Sequence, residues 1–190
     1  MSKVVLVASG FSSKQIHDYD YKANGWTIVT INHGWQACPE LWDYWVKAPD
    51  YRSEKPKHRK DQTVVPKYRP ALDKFGGQKA CGYSITLNAA YWVLANLSPS
   101  VMGFLGADMN YTPDKNGHTH IYGVGLDIKK NKVSDPDRMV NLYGKNDPNY
   151  LETIYMRLVE KAKENNCSVY NLSQNIETRL PYERIKPQNV

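Results

Sequence analysis

The sequence lacks several features that assign a chain at sight. Its three cysteines, Cys38, Cys81 and Cys167, include no CxxC pair, which argues against a disulfide framework and against a cysteine-built structural zinc site. No apolar run nears the roughly 18 residues of a membrane-spanning helix. Neither a GxGxxG fingerprint nor a GxxxxGK[ST] loop occurs, so the usual dinucleotide-binding and P-loop classes have no support. Most of the chain also lacks net charge. Residues 52–79 hold nine of the 25 Lys and Arg and three of the 19 Asp and Glu, leaving sixteen of each sign elsewhere. The opening MSKVVLVASG reads as a short strand ending in Gly10, not as a signal peptide.

What is present has globular proportions. The 190 residues are 41% hydrophobic and 23% charged, enough for one domain with a two- or three-layer core and too apolar for wholesale disorder. The expectation is a cytoplasmic α/β protein. The whole +6 net charge resides in 52–79, a stretch with three prolines, a Gly-Gly pair and no helical periodicity. It reads as a long basic surface insertion or lid over 49–80. Two roles fit it equally: a solvated loop whose charge aids solubility, or a surface that attracts phosphates and so nucleic acid.

Strand-like runs alternate with helical ones. Residues 3–8 form a continuous apolar run of the kind buried on both faces. Ser12 and Ser13 open a short helix towards Tyr19, and 26–31 (WTIVTI) is a β-branched, aromatic second strand. Residues 39–46 are predicted helical, with Leu41, Trp42 and Trp45 on one face. Ser84 caps a helix carrying Leu87, Ala90, Tyr91, Leu94 and Ala95 at helical spacing. Residues 101–105 are a strand. Asp147-Pro148 starts a helix with a buried stripe of Leu151, Ile154, Tyr155, Leu158, Val159 and Ala162. Residues 167–172 are the last strand, and the tail 173–190 is irregular. The order predicts a Rossmann-like α/β fold: a single domain with a mostly parallel sheet and helices on both faces.

Ligands of such sheets bind beyond the carboxyl ends of the strands. Those ends here are Ser9-Gly10-Phe11-Ser12-Ser13, Asn32-His33-Gly34-Trp35, Gly106-Ala107-Asp108 and Ser173-Gln174-Asn175. They are small, polar and glycine-bearing, as a binding rim or any set of turns would be. A strand, a glycine and paired serines would aim backbone N–H groups and hydroxyls at an anion, and Gly82-Tyr83-Ser84 makes a second such cradle. Two cradles on one crevice suit a diphosphate or a nucleoside monophosphate.

The succession VLVASGFSS, TIVTINHGW, GYSITLNAAYWVLA and VMGFLGADMNY resembles a superfamily of Rossmann-like transferases. It includes bacterial sialyltransferases that use CMP-activated sugars and hydroxymethylpterin diphosphokinase-like domains. A phage and bacterial branch is resembled further by Gly106-Ala107-Asp108-Met109-Asn110-Tyr111, His120-Ile121-Tyr122-Gly123 and Asp135-Pro136-Asp137-Arg138. The resemblance implies that Ser9, Gly10, Ser12 and Ser13 lie against the phosphate and ribose, that Asn32 contacts the nucleotide, and that Gly82 and Ser84 cradle it. It implies an acidic-aromatic pair in Asp108 and Tyr111, and a hydrogen bond from Tyr122 to the leaving phosphate. Two departures stand out: Phe11 replaces the usual proline of the first loop, and Leu142-Tyr143-Gly144-Lys145 holds no histidine where the sialyltransferases place their base.

His118 and His120 are the first candidates to move the acceptor's proton, because imidazole titrates in the right range. In an extended segment both would point to one side. With Asp108 or Asp127 they also make a possible metal set, the alternative being two exposed loop histidines. Asp108 is the next candidate, as base or as metal ligand. Arg138 either clamps a phosphate or forms a surface ion pair. His17 and His33 are read as structural. Cys81 has no partner base and is not taken as a nucleophile. The expected activity is glycosyl transfer from a nucleotide-sugar donor to a hydroxyl, with a modified DNA base as one acceptor. The alternatives are a diphosphokinase-like transfer requiring Mg²⁺ and a nucleotide- or nucleic-acid-binding module without catalysis.

Overall fold

The computed structural model describes residues 2–110, 112–124, 151–174 and 176–190. Among them, six strands form one sheet in which every pair is parallel: β1 (Lys3–Val7), β2 (Trp26–Ile31), β3 (Tyr44–Val46), β4 (Thr63–Val64), β5 (Val101–Leu105) and β6 (Ser168–Asn171). The spatial order is β4-β3-β2-β1-β5-β6. β1 pairs on both sides, Lys3 lying opposite Trp26 and Val101. The fold is therefore α/β and Rossmann-like, as the pattern predicted. The strand order reverses between β1 and β5, which fixes where the ligand crevice of such a sheet opens.

Side chains alternate across β1. Val4 and Leu6 join one apolar cluster with Val29, Ile31, Met102 and Phe104, while Val5 and Val7 join another with Ile28 and Leu105. Four α-helices supply the first cluster: α1 (Arg69–Leu72), α2 (Gly77–Cys81), α3 (Ile85–Asn96) and α4 (Leu151–Glu164). α3 is buried nearly all round, from Thr86 to Tyr91 and again at Val93 and Leu94. α4 is amphipathic, burying Ile154, Tyr155, Leu158 and Ala162. The second face is covered by different material. A 3₁₀ helix (Phe11–His17) contributes Ile16, and Trp42, Trp45 and Tyr51 complete the layer. Helical segments thus flank both faces, but every described α-helix lies on one.

Two expectations are corrected. Residues 39–46 are not a helix: 44–46 are the strand β3, and Trp42 and Trp45 are buried on the second face. The Asp43 carboxylate accepts the Ile28 N–H at 2.8 Å, and the Asp43 N–H bonds the Ile28 carbonyl, so an extended ladder replaces helical pairing. Nor is 49–80 an insertion laid over the fold. It contains the edge strand β4 and helices α1 and α2, and it buries Val65, Tyr68, Leu72 and Cys81. Among its described residues the tail 173–190 holds one short 3₁₀ helix, Pro187–Asn189, and Leu180 and Tyr182 are in the core. The Asp147-Pro148 helix start lies outside the described residues. No helix among the described residues is long and apolar enough to cross a membrane.

Candidate functional site

A crevice of about 190 Å³ opens at the carboxyl ends of β1, β2 and β5. Ser9 and Gly10 line it from β1, Asn32 and His33 from β2, Gly106 to Asn110 from β5, and Ser84 to Thr86 from the start of α3. Thr119, His120, Tyr122 and Tyr155 close the remaining side. It therefore sits at the β1–β5 reversal.

The floor is tightly built. The Asp108 carboxylate accepts the Ser12 N–H at 2.9 Å and the Ser12 hydroxyl. The same hydroxyl oxygen accepts the Gly106 N–H at 2.7 Å. A Cβ on Gly10 would lie 2.5 Å from an Asp108 carboxylate oxygen and 2.6 Å from the Gly106 carbonyl, so only glycine fits between the two loops. Gly106 itself has φ +70°, in the left-handed region. Asn32 and Met109 also adopt positive φ, 47° and 53°, and both line the crevice. Backbone held this way persists only where its surroundings fix it. For Asn32 they do: its Oδ1 accepts the Ala48 N–H and its carbonyl accepts the Trp45 indole N–H, each at 2.8 Å.

The aromatic wall comes from a hairpin. The N–H groups of Thr119 and His120 donate to the Gly123 carbonyl, the Gly123 N–H returns to His120, and the Ile121 N–H donates to Ser9 at 3.0 Å. This pins the hairpin to the loop after β1. Tyr122 then stacks on His33, ring centres 3.9 Å apart at 25°, and His120 stacks on Tyr122 at 5.2 Å. The His33 ring continues to Tyr51 at 4.8 Å. Tyr155, from α4, brings its hydroxyl within 3.4 Å of Ser84 Oγ.

Desolvation drives these groups towards their uncharged forms. Burial pushes His120 down to about 4, with the neighbouring His33 adding to the effect, and burial lowers His33 as well. Burial raises the Asp108 carboxyl against the opposing bonds from Ser12, and raises the Tyr155 phenol. No lysine or arginine is among the lining residues. Attraction for an anion must therefore come from N–H dipoles. Ser84 occupies the N-cap of α3 without a side-chain capping bond, so the first-turn N–H groups of a 12-residue helix face this end.

Of the candidate residues, Ser9, Gly10, Asn32, Ser84, Asp108, His120 and Tyr122 all line the crevice. Ser12 and Ser13 do not, being fully buried beneath it. Gly82 is a packing glycine: it has φ +83°, and a Cβ there would meet Ile154 of α4 at 2.6 Å. His118 turns away, half exposed, with its Nδ1 4.0 Å from an Asp114 carboxylate oxygen. The predicted His118–His120 pair is thus split by the hairpin. Tyr111, Asp127 and Arg138 lie outside the described residues. Among the described residues no three His, Cys, Asp or Glu side chains assemble a metal site, and both Asp108 oxygens are engaged by Ser12.

The sequence reading missed His33, Thr86, Met109, Thr119 and Tyr155 at this site. His33 had a signal, since it follows Asn32 at the end of β2. Tyr155 had none, because its place on an apolar stripe marks it as core. Comparison with known proteins finds no matching family model, no matching curated protein and no matching solved structure.

Proposed function

We propose that the chain binds a nucleotide across the ends of β1 and β5 and transfers the group it carries, most simply a sugar, to a hydroxyl. The observation that carries this reading is the coincidence of three features in one place: the strand-order reversal, the open N-terminus of α3 and the His120–Tyr122–His33 stack. The helix end suits a phosphate, and the aromatic wall suits a base or sugar face. With no cationic side chain among the lining residues, one phosphate suits the site better than two, which favours a nucleoside monophosphate as leaving group.

In the transfer, the acceptor oxygen attacks the anomeric carbon. The bond from that carbon to the phosphate oxygen breaks, and the nucleotide leaves with the electron pair. Asp108 takes the hydroxyl proton. Its raised affinity for protons brings it nearer the operating range of a base, and each carboxylate oxygen has lone pairs beyond those given to Ser12. His120, neutral at physiological pH, and Tyr122 donate hydrogen bonds to the departing phosphate. The buried, unpaired thiols of Cys38, Cys81 and Cys167 are in keeping with a reducing, cytoplasmic setting.

Thermal melts against nucleoside mono- and diphosphates and nucleotide sugars, with and without Mg²⁺, test this reading. A nucleotide at a hundred times its Kd should add about 2.7 kcal/mol. One monophosphate class is expected to raise Tm, and Tyr122→Ala to abolish the rise. No response to any of them overturns the reading.

A further inference from the structure

Beside the crevice lies a second surface, made in part from the stretch that holds the net charge and in part from residues 47–50 and 83–88. One depression of about 370 Å³ is lined by Lys47, Pro49, Pro66, Lys67, Arg69 and Pro70, with Tyr68 at its base. A second, of about 310 Å³, shares Pro49, Tyr68 and Arg69 with the first and extends past Tyr83 to Ile85. Ile85 also lines the crevice. Shared walls therefore connect the basic edge of the sheet to the crevice in one continuous path.

The path has the chemistry of a strand of phosphates and bases. Lys67 and Arg69 are exposed, and among the described residues no carboxylate lies within ion-pair distance of Lys47, Lys67 or Arg69. Asp50 is the one acid among the lining residues of the two depressions, and it forms no ion pair with these cations; Asp61 is held by Arg59 at 3.1 Å. Tyr83 is 64% exposed and is one of two large hydrophobic side chains left in solvent among the described residues. It stands immediately before the cap of α3, where the path turns into the crevice. A ring left in water beside unpaired cations is the arrangement that stacks a base while its phosphates are neutralised. A duplex offers no unstacked base to such a ring; a single strand does.

The geometry points to a single-stranded nucleic acid as the partner of this path, running from Lys47, Lys67 and Arg69 over Tyr83 towards the crevice. If the crevice performs the transfer proposed above, the strand carries the acceptor hydroxyl. The docking surface itself does not depend on that reading, and its test is made without any nucleotide donor.

Fluorescence anisotropy of the full chain with labelled single-stranded DNA, single-stranded RNA and duplex DNA, at several salt concentrations, is the experiment. Single strands, of DNA or RNA, should bind more tightly than duplex, and affinity should fall as salt rises. Tyr83→Ala should weaken single-strand binding roughly 5- to 150-fold. Lys67→Ala with Arg69→Ala should lower the salt slope by about 1.4, at about 0.7 per lost phosphate contact. Lys161→Ala, on α4 and away from the path, is the control and should change neither. All three sets are surface substitutions, and an unchanged Tm confirms that the fold is intact. No single-strand binding, equal binding of duplex, or binding that the Tyr83 and Lys67/Arg69 variants leave unaltered overturns the proposal. A Tm response to nucleotides with no oligonucleotide binding would sink this inference and leave the crevice reading standing.

Discussion

The crevice and the basic path share Ile85, yet they hold charge in opposite ways. In the crevice every shifted group moves towards neutrality: His33 and His120 fall, and Asp108 and Tyr155 rise. Burial causes each of these shifts, because a low-dielectric site disfavours whichever form is charged. Along the path Lys67 and Arg69 are exposed to solvent. In the proposed reading the first region therefore acts through short, directional hydrogen bonds that salt hardly weakens, and the second acts through long-range attraction that ionic strength screens. That reading, in which one surface collects a polyanion and the other handles a single phosphate, calls for both kinds of surface.

The sharpest way to break the comparison is to fill the crevice floor. Gly106→Val places a β-branched residue at φ +70°, with a Cβ 2.4 Å from the Ala8 carbonyl. Backbone strain and the clash together should cost about 4 kcal/mol. For a chain of this length that is a Tm drop of roughly 8–16 °C. The crevice is rigid because its loops interlock, whereas the path is only a surface. An equal Tm for Gly106→Val and wild type would show that the floor is not packed as described.

A smaller effect separates the two regions by pH. His120 has its folded pKa depressed to about 4 from an ordinary value near 6.5. A depressed folded value means that the neutral ring stabilises the fold above pH 6.5, and that this contribution is lost as pH falls towards 4. Its size is on the order of 2 kcal/mol after allowing for partial exposure. Asp108 acts with the other sign: its raised value favours folding when protonated, and that contribution is lost as pH rises through the folded value. His120→Gln isolates the histidine. Chemical denaturation at several pH values should show wild type losing stability relative to this variant between pH 6.5 and 4. Parallel curves would mean that the ring is not desolvated.

The parts of the fold that rest on continuous apolar runs were readable in the chain. β1, β2 and β5 lie where Val, Ile, Leu and Phe cluster, and the strand-end rule brought Ser9, Asn32 and Asp108 into one site from three distant segments. What failed did so for physical reasons. Trp42 and Trp45 stand three apart, which mimics one helix face, but a three-residue strand is too short to show its own alternation. In 49–80 the exposed charges hid Val65, Tyr68 and Leu72, whose spacing of three and four was the available sign of a packed turn and helix. The sequence marks His33 as structural, because nothing in it brings Tyr122 on to its ring. That contact exists only because the Ile121 N–H bonds Ser9.

The smallest predicted effect concerns His118, and it tests the hairpin itself. Two residues of an extended strand separated by one position face the same way, so His118 and His120 were expected to work as a pair. The turn at 120–123 removes that equivalence. His120 goes into the crevice against Tyr122, and His118 goes outward to Asp114, whose carboxylate also accepts the His118 N–H at 2.8 Å. A half-exposed pair of this kind contributes little to folding. His118→Ala should therefore leave both Tm and any nucleotide-induced Tm shift unchanged, while His120→Ala abolishes the shift. If the two variants fail alike, the segment is extended, the rings share one side, and the wall of the crevice has to be redrawn with His118 in it.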